Sequence, residues 1–96
     1  MRKNKIYEKA WLKWGKEFQL RMLFEEMAEL IQVLCRSERN RFKSLQEARE
    51  RLIDELVDVE IMLEQTAEMN LIPRKLIEEQ KKIKLSRLEK MVNEKD

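Results

Sequence analysis

The chain has 96 residues and a mass of 11.8 kDa, which suits one compact domain and argues against two-domain enzymes and large α/β barrels. One glycine and one proline are too few for the turns of an all-β protein, and 42% charged residues favour long solvated helices. A net charge of +2 is too small to indicate a nucleic-acid-binding protein.

The predicted first helix lies before the only glycine. Ile6, Tyr7, Ala10, Trp11 and Trp14 recur at helical spacing, which predicts a short helix that ends near Gly15. We expect both tryptophans on its apolar face.

The second predicted helix runs from Lys16 to Arg36. Its apolar residues follow the i, i+3, i+4, i+7 spacing of an amphipathic helix, and we expect them to face the core. They are Leu20, Leu23, Phe24, Met27, Leu30, Ile31 and Leu34. A polar, basic loop is expected at 37–43.

Two further helices complete the prediction. Ser44 and Glu47 have the spacing of a capping box, so the third helix should begin at Leu45, and it should end near Asn70. Its expected core positions are Leu45, Ala48, Leu52, Leu56, Val59, Leu63 and Ala67. Pro73 suits the first turn of a fourth helix that runs to the C-terminus. Residues 1–96 therefore predict a single all-α domain, a four-helix bundle-like protomer with a short first helix.

Cysteine and histidine usage limits both compartment and chemistry. The one cysteine, Cys35, cannot form an internal disulfide, and no apolar run resembles a secretion signal or a membrane span, so we expect a cytoplasmic protein. The absence of histidine excludes Cys-His and Ser-His catalysis. Catalytic groups must then come from carboxylates, lysines and arginines.

Carboxylates cluster on the second and third predicted helices. The second helix carries Glu25, Glu26 and Glu29, and the third carries Glu55 and Asp58. At 100° per residue, the first three lie opposite the main apolar stripe, in a sector that also holds Phe18, Met22 and Val33. Glu55 lies at the edge of the core stripe of the third helix.

These positions favour a metal site over a simple solvated face. Carboxylates at the margin of a core repel one another and lose hydration, which a divalent cation would offset. Oxygen ligands suit Mg²⁺, with Mn²⁺ as the alternative, and Mg²⁺ accepts phosphate oxygens as further ligands. If a triphosphate binds the metal, Lys84 and Arg87 on the fourth helix are candidate phosphate donors.

The arrangement resembles the MazG-like all-α nucleoside triphosphate pyrophosphohydrolases, whose signature is E-E-x-x-E followed by E-x-x-D. Glu25, Glu26 and Glu29 match the first part, and Glu55 and Asp58 match the second, with 25 residues between Glu29 and Glu55. The flanking segments at 14–30 and 54–63 match as well, and residues 84–88 resemble the family's late K-x-x-R-L segment.

The resemblance implies Mg²⁺-dependent hydrolysis of a ribo- or deoxynucleoside triphosphate between the α and β phosphates, which yields the monophosphate and pyrophosphate. It implies Glu25, Glu26, Glu29, Glu55 and Asp58 as metal ligands. One of Glu25 and Glu26 would serve the attacking water, and Glu26 is the choice for the base.

The same resemblance implies a substrate pocket and an assembly. Gln19, Lys84 and Arg87 would contact the substrate, and Trp11, Trp14 or Phe18 would be available to stack on its base. Relatives assemble as homodimers or homotetramers, so we expect a homo-oligomer. The related phosphoribosyl-ATP pyrophosphohydrolases share the same carboxylate pattern.

Two other interpretations stay open. The chain can be a non-catalytic helical bundle or coiled-coil interaction module whose second apolar face binds a partner helix. A nucleic-acid-binding protein that uses the basic fourth helix ranks last, because Glu78, Glu79 and Glu89 dilute that charge.

Overall fold

The computed structural model describes residues 2–94, and these residues form four α-helices and no strand. The helices are α1 (Lys3–Trp14), α2 (Lys16–Glu38), α3 (Leu45–Met69) and α4 (Arg74–Val92). The predicted all-α class, the four helices and the shorter first helix are confirmed.

The helix boundaries follow from local chemistry. Gly15 adopts φ 89° and ψ 157°, a conformation that is essentially restricted to glycine, and so separates α1 from α2. The Oγ of Ser44 accepts a hydrogen bond from the backbone N–H of Glu47 at 3.1 Å, as the capping box predicts. The Glu47 carboxylate accepts in turn from the backbone N–H of Lys43, one residue before the expected donor. Helix α2 continues to Glu38, so the connection to α3 is shorter than expected.

Packing is concentrated between α2 and α3, with α1 against both. The short connection between α2 and α3 makes them an antiparallel pair. The packed side of α2 includes Gln19, Leu23 and Val33, and the packed side of α3 includes Glu55, Val59, Met62, Gln65 and Met69; all are buried. Helix α4 has no buried residue and packs extensively against none of the other described helices.

The expected core stripe of α2 is wrong in its orientation. Leu20, Phe24, Met27, Ile31 and Leu34 are between 41% and 60% exposed, whereas Leu23 is buried. The packed side of α2 is rotated by about 100° from that stripe, toward the acidic sector that holds Val33. The intrachain core therefore forms on the side that carries carboxylates, and the most apolar side of α2 is left uncovered.

The same shift appears on α3 and α1. The expected core residues Leu45, Leu56 and Leu63 are 87%, 43% and 50% exposed, while Val59 is buried as expected. On α1 the buried residue is Tyr7 rather than either tryptophan, and Trp14 is half exposed. None of the described helices is long and apolar enough to cross a membrane.

Candidate metal centre

Carboxylates from α2 and α3 converge in two overlapping groups. Glu26, Glu29 and Glu55 form one, and Asp54, Glu55 and Asp58 form the other; within each group one carboxylate oxygen per residue lies within 4.8 Å of the others. Two oxygens on opposite sides of a Mg²⁺ ion are about 4.2 Å apart, so this spacing is within reach of shared coordination. Glu55 belongs to both groups and joins them.

The packing of α2 on α3 produces this convergence. Glu55 lies four residues before Val59 on the packed side of α3 and is 4% exposed. Glu26 lies one turn after Leu23 on the packed side of α2 and is half-buried. The two carboxylates are thus held between the helices rather than on a solvated face.

Two oxygens of this cluster have no hydrogen-bond partner within residues 2–94. They are Oε2 of Glu26 and Oε2 of Glu55, both buried. A buried carboxylate oxygen without a donor is costly, since it has lost water and gained nothing in exchange. The donor set, all hard oxygen, is the set that Mg²⁺ and Mn²⁺ prefer.

Burial and mutual repulsion both disfavour the charged forms of this cluster, and burial is the larger cause. Burial raises the pKa of Glu26 to about 7, and the negative charges of Glu29, Asp58 and Glu55 add to the effect. Burial also raises the pKa of Glu55, again with Glu29 and Asp58 contributing. Among the ion pairs within residues 2–94, one reaches this cluster: Arg51 Nη2 lies 3.8 Å from Glu55 Oε1. One partly exposed arginine leaves most of the negative charge uncompensated.

The structure brings four of the five predicted ligands into these groups. Within the described part of the chain, Glu25 is in neither group and is exposed, so its role as a ligand stays a prediction. Asp54 joins the cluster although it lies outside both the E-E-x-x-E and the E-x-x-D segments. Its position one residue before Glu55 and four before Asp58 was the available signal, because i, i+4 places Asp54 and Asp58 on one side of a helix.

The predicted substrate-binding residues are more dispersed. Gln19 is buried on the packed side of α2, two turns before Glu26. Lys84 and Arg87 are exposed on α4, which within residues 2–94 packs extensively against neither α2 nor α3. Their contact with a substrate stays a prediction.

Aromatic side chains lie near one end of the acidic side of α2. Trp14 and Phe18 are about half exposed, and their ring centroids are 6.3 Å apart with planes tilted by 34°. Phe18 and Glu29 are eleven residues apart on the same side of α2, a distance of about 16 Å along the helix axis. Trp11 is only partly exposed.

A second polar cluster joins α1 to α3 away from the carboxylate groups. Tyr7 donates its hydroxyl hydrogen to Glu64 Oε2 at 2.7 Å, and Lys3 Nζ lies 2.9 Å from the same oxygen. These bonds lower the pKa of Glu64, and burial together with Glu64 raises the pKa of Tyr7 to about 12. Both residues line a cavity of about 330 Å³ that also includes Arg74. Because donors and acceptors here are matched, the cluster has a structural explanation.

Comparisons of the chain with protein families, with curated proteins and with solved structures find no match in any of the three. The geometry of the carboxylates and their chemistry are therefore the basis for a functional conclusion.

Proposed function

We propose that this chain is a Mg²⁺-dependent nucleoside triphosphate pyrophosphohydrolase of the MazG-like kind. The observation that carries the proposal is the buried Oε2 of Glu55, which has no hydrogen-bond partner in the described part of the chain and lies among carboxylates from two helices. A buried carboxylate oxygen without a donor is unfavourable when no metal is bound, and a divalent cation would coordinate it. The order of the E-E-x-x-E and E-x-x-D segments supports the same assignment.

In the proposed site, Glu29, Glu55 and Asp58 hold Mg²⁺, with Glu25 or Asp54 available as a further ligand. The cation would supply charge neutralisation on the phosphate oxygens and alignment of the leaving pyrophosphate. Mn²⁺ is expected to substitute, since it accepts the same oxygen ligands.

Glu26 is the proposed general base toward the attacking water. Its pKa of about 7 in the metal-free fold would fall once a cation neutralises Glu29, Glu55 and Asp58, so Glu26 would be ionised and able to accept a proton at neutral pH. The half-buried position of Glu26 beside Glu29 and Glu55 would hold a water molecule near the ligands.

The remaining charge of a triphosphate requires cationic donors. Lys84 and Arg87 on α4 are proposed for this role, and Gln19 is proposed as a polar contact. Trp14 and Phe18, both half exposed, are proposed to stack on the base. The substrate class is a ribo- or deoxynucleoside triphosphate.

The test is release of pyrophosphate from a panel of ribo- and deoxynucleoside triphosphates with and without Mg²⁺. We expect equal amounts of monophosphate and pyrophosphate, and a loss of rate of about 10²–10⁴-fold in Glu26→Gln. Glu55→Gln and Asp58→Asn should abolish turnover. Glu60→Gln, an exposed carboxylate of α3 outside both groups, is the matched control and should retain the wild-type rate.

Metal binding is measured separately from turnover. Mg²⁺ at about 100 times its dissociation constant should stabilise the wild type by about 2.7 kcal/mol, and Glu55→Gln should lose this effect. No pyrophosphate release from any triphosphate, or full release by Glu55→Gln, would contradict the proposed function.

A non-catalytic helical interaction module is the second candidate. The observation that favours it is the uncovered apolar side of α2, which includes Phe24 at 57% and Ile31 at 60% exposure. This candidate predicts no pyrophosphate release and no effect of Mg²⁺ on thermal stability.

A further inference from the structure

The guanidinium of Arg51 reaches the carboxylate cluster. Its Nη2 atom lies 3.8 Å from Glu55 Oε1, and the Arg51 side chain is 48% exposed. At this distance the two charges attract each other, but the contact is too long for a hydrogen bond. The N–H donors of Arg51 are therefore not committed to Glu55, and they are open to an anion that approaches from solvent.

Arg51, Glu55 and Asp58 form one row along α3. Their spacing of i, i+4 and i+7 places the three side chains within about 60° of one another around the helix axis. Arg51 is the member of the row nearest to the start of α3, about 6 Å before Glu55 along the axis. It therefore extends the proposed metal site toward the α2–α3 connection.

The charges on both helices of the pair place cations at that end of the cluster. Arg49 and Arg51 are the two basic residues of α3 and both precede Glu55. On α2, Arg36 follows Glu29 by two turns on the same side of the helix. The charged residues of α3 after Asp58 are all acidic: Glu60, Glu64 and Glu68. A polyphosphate that leaves the cluster finds cations toward the connection and acidic side chains toward the other end of α3.

The aromatic side chains lie in the opposite direction. Phe18 precedes Glu26 by eight residues on α2, so it is on the side of the cluster away from the connection. A nucleotide whose base stacks on Phe18 and whose phosphates bind the cluster would direct its terminal phosphates toward Arg51. Lys84 and Arg87 lie on α4, which within residues 2–94 packs extensively against neither helix of the pair, whereas Arg51 shares a helix with Glu55.

We propose that Arg51 binds the β and γ phosphates of the substrate, which leave together as pyrophosphate. The inference rests on the proposed function. In that hydrolysis a water oxygen forms a bond to the α phosphorus, and the bond between this phosphorus and the α–β bridging oxygen breaks. The bridging oxygen keeps the electron pair and leaves with pyrophosphate. Arg51 loses its attraction to Glu55 once that carboxylate coordinates a cation, and its planar guanidinium then donates two parallel N–H bonds to phosphate oxygens.

The test is the affinity for pyrophosphate, measured by calorimetry in saturating Mg²⁺ and without any turnover. Arg51→Gln should raise the dissociation constant of pyrophosphate by about 10–100-fold, because it removes hydrogen bonds between charged groups. The same variant should bind a nucleoside monophosphate with the wild-type affinity. Arg49→Gln is the matched control: Arg49 is exposed and lies about 160° from Arg51 around α3, and this variant should bind pyrophosphate as the wild type does.

The affinity for Mg²⁺ alone separates this role from support of the metal ligands. Arg51→Gln removes a positive charge beside Glu55, so it should bind Mg²⁺ at least as tightly as the wild type. Weaker binding of Mg²⁺ in the absence of pyrophosphate would overturn the proposal, since Arg51 would then act by holding Glu55 in position. If Arg51→Gln does not fold, Arg51→Met keeps the apolar stem and should give the same changes in affinity.

Turnover distinguishes failure of this inference from failure of the proposed function. Pyrophosphate release by the wild type, with equal pyrophosphate affinity in wild type and Arg51→Gln, would overturn the role of Arg51 and leave the proposed function intact. A wild type that releases no pyrophosphate from any triphosphate, yet binds pyrophosphate more tightly than Arg51→Gln does, would contradict the proposed function and support the anion site. A wild type that does not bind pyrophosphate would overturn the inference whatever its turnover.

Discussion

Glu26 makes the stability of the metal-free protein depend on pH in a specific direction. Its pKa of about 7 in the fold lies above the ordinary value of 4.5, so the folded state binds a proton that the unfolded state releases between these values. The stability contributed by protonated Glu26 is complete below pH 4.5 and is lost as the pH rises through about 7. The difference between the two pKa values corresponds to about 3 kcal/mol.

Glu26→Gln removes the ionisation and keeps the shape of the side chain. In buffer with a chelator we expect the variant to be more stable than wild type by about 3 kcal/mol at pH 8, and nearly equal to it at pH 4. Chemical denaturation at a fixed protein concentration, followed by helical circular dichroism, gives both free energies of unfolding. Glu60→Gln is the control and should change stability by less than about 0.5 kcal/mol at either pH.

The pH dependence separates the cost of ionising Glu26, which comes from burial and from the neighbouring carboxylates, from other effects of the substitution. A Glu26→Gln variant with the same gain at pH 4 and pH 8 would refute the electrostatic explanation, because the neutral side chain would then stabilise for another reason. A variant less stable than wild type at pH 8 would show that Glu26 is satisfied by a donor in the metal-free fold.

Three further substitutions test the local structure. Tyr7→Phe should destabilise the fold by about 2 kcal/mol at pH 7, since it deletes a hydrogen bond to a charged carboxylate. This difference should shrink in acid, as Glu64 becomes protonated, and a Tyr7→Phe variant as stable as the wild type at pH 7 would exclude the bond. Ser44→Ala should lower the free energy of unfolding, measured by urea denaturation, by about 1 kcal/mol because the α3 cap is lost. A decrease of less than about 0.3 kcal/mol would refute this role of the cap. Gly15→Ala should lower the free energy of unfolding by about 1–3 kcal/mol because of the backbone conformation at this position, since no atom of the described residues blocks the added methyl group. A thermal midpoint equal to or higher than that of the wild type would contradict that explanation.

The helix ends were predictable because local chemistry determines them. The cap of α3 requires only Ser44 and Glu47, three residues apart, and the break after α1 requires only the glycine at position 15. The orientation of α2 was not predictable in this way. A periodic stripe shows that one side of a helix avoids water, but it does not say whether the same chain or another one covers that side.

Residue spacing in the sequence predicts part of the carboxylate cluster but not all of it. Helical periodicity grouped Glu55 with Asp58, and the structure brings Glu26 and Glu29 from the other helix to them. Helical periodicity does not predict that Glu55 lies on the buried side of α3, because the expected core stripe is centred toward Leu56 instead. The inclusion of Asp54 depends on how α2 rests against α3, which is a tertiary property.

The short connection between α2 and α3 has a consequence for the order of folding. Six residues, 39–44, join the two helices, so their pairing closes a small loop and loses little chain entropy. That pairing is also the event that forces Glu26 and Glu29 against Glu55. The electrostatic cost of the acidic cluster therefore falls on the step in which α2 and α3 pair, whereas the packing of α1 against both helices adds no carboxylate to the cluster.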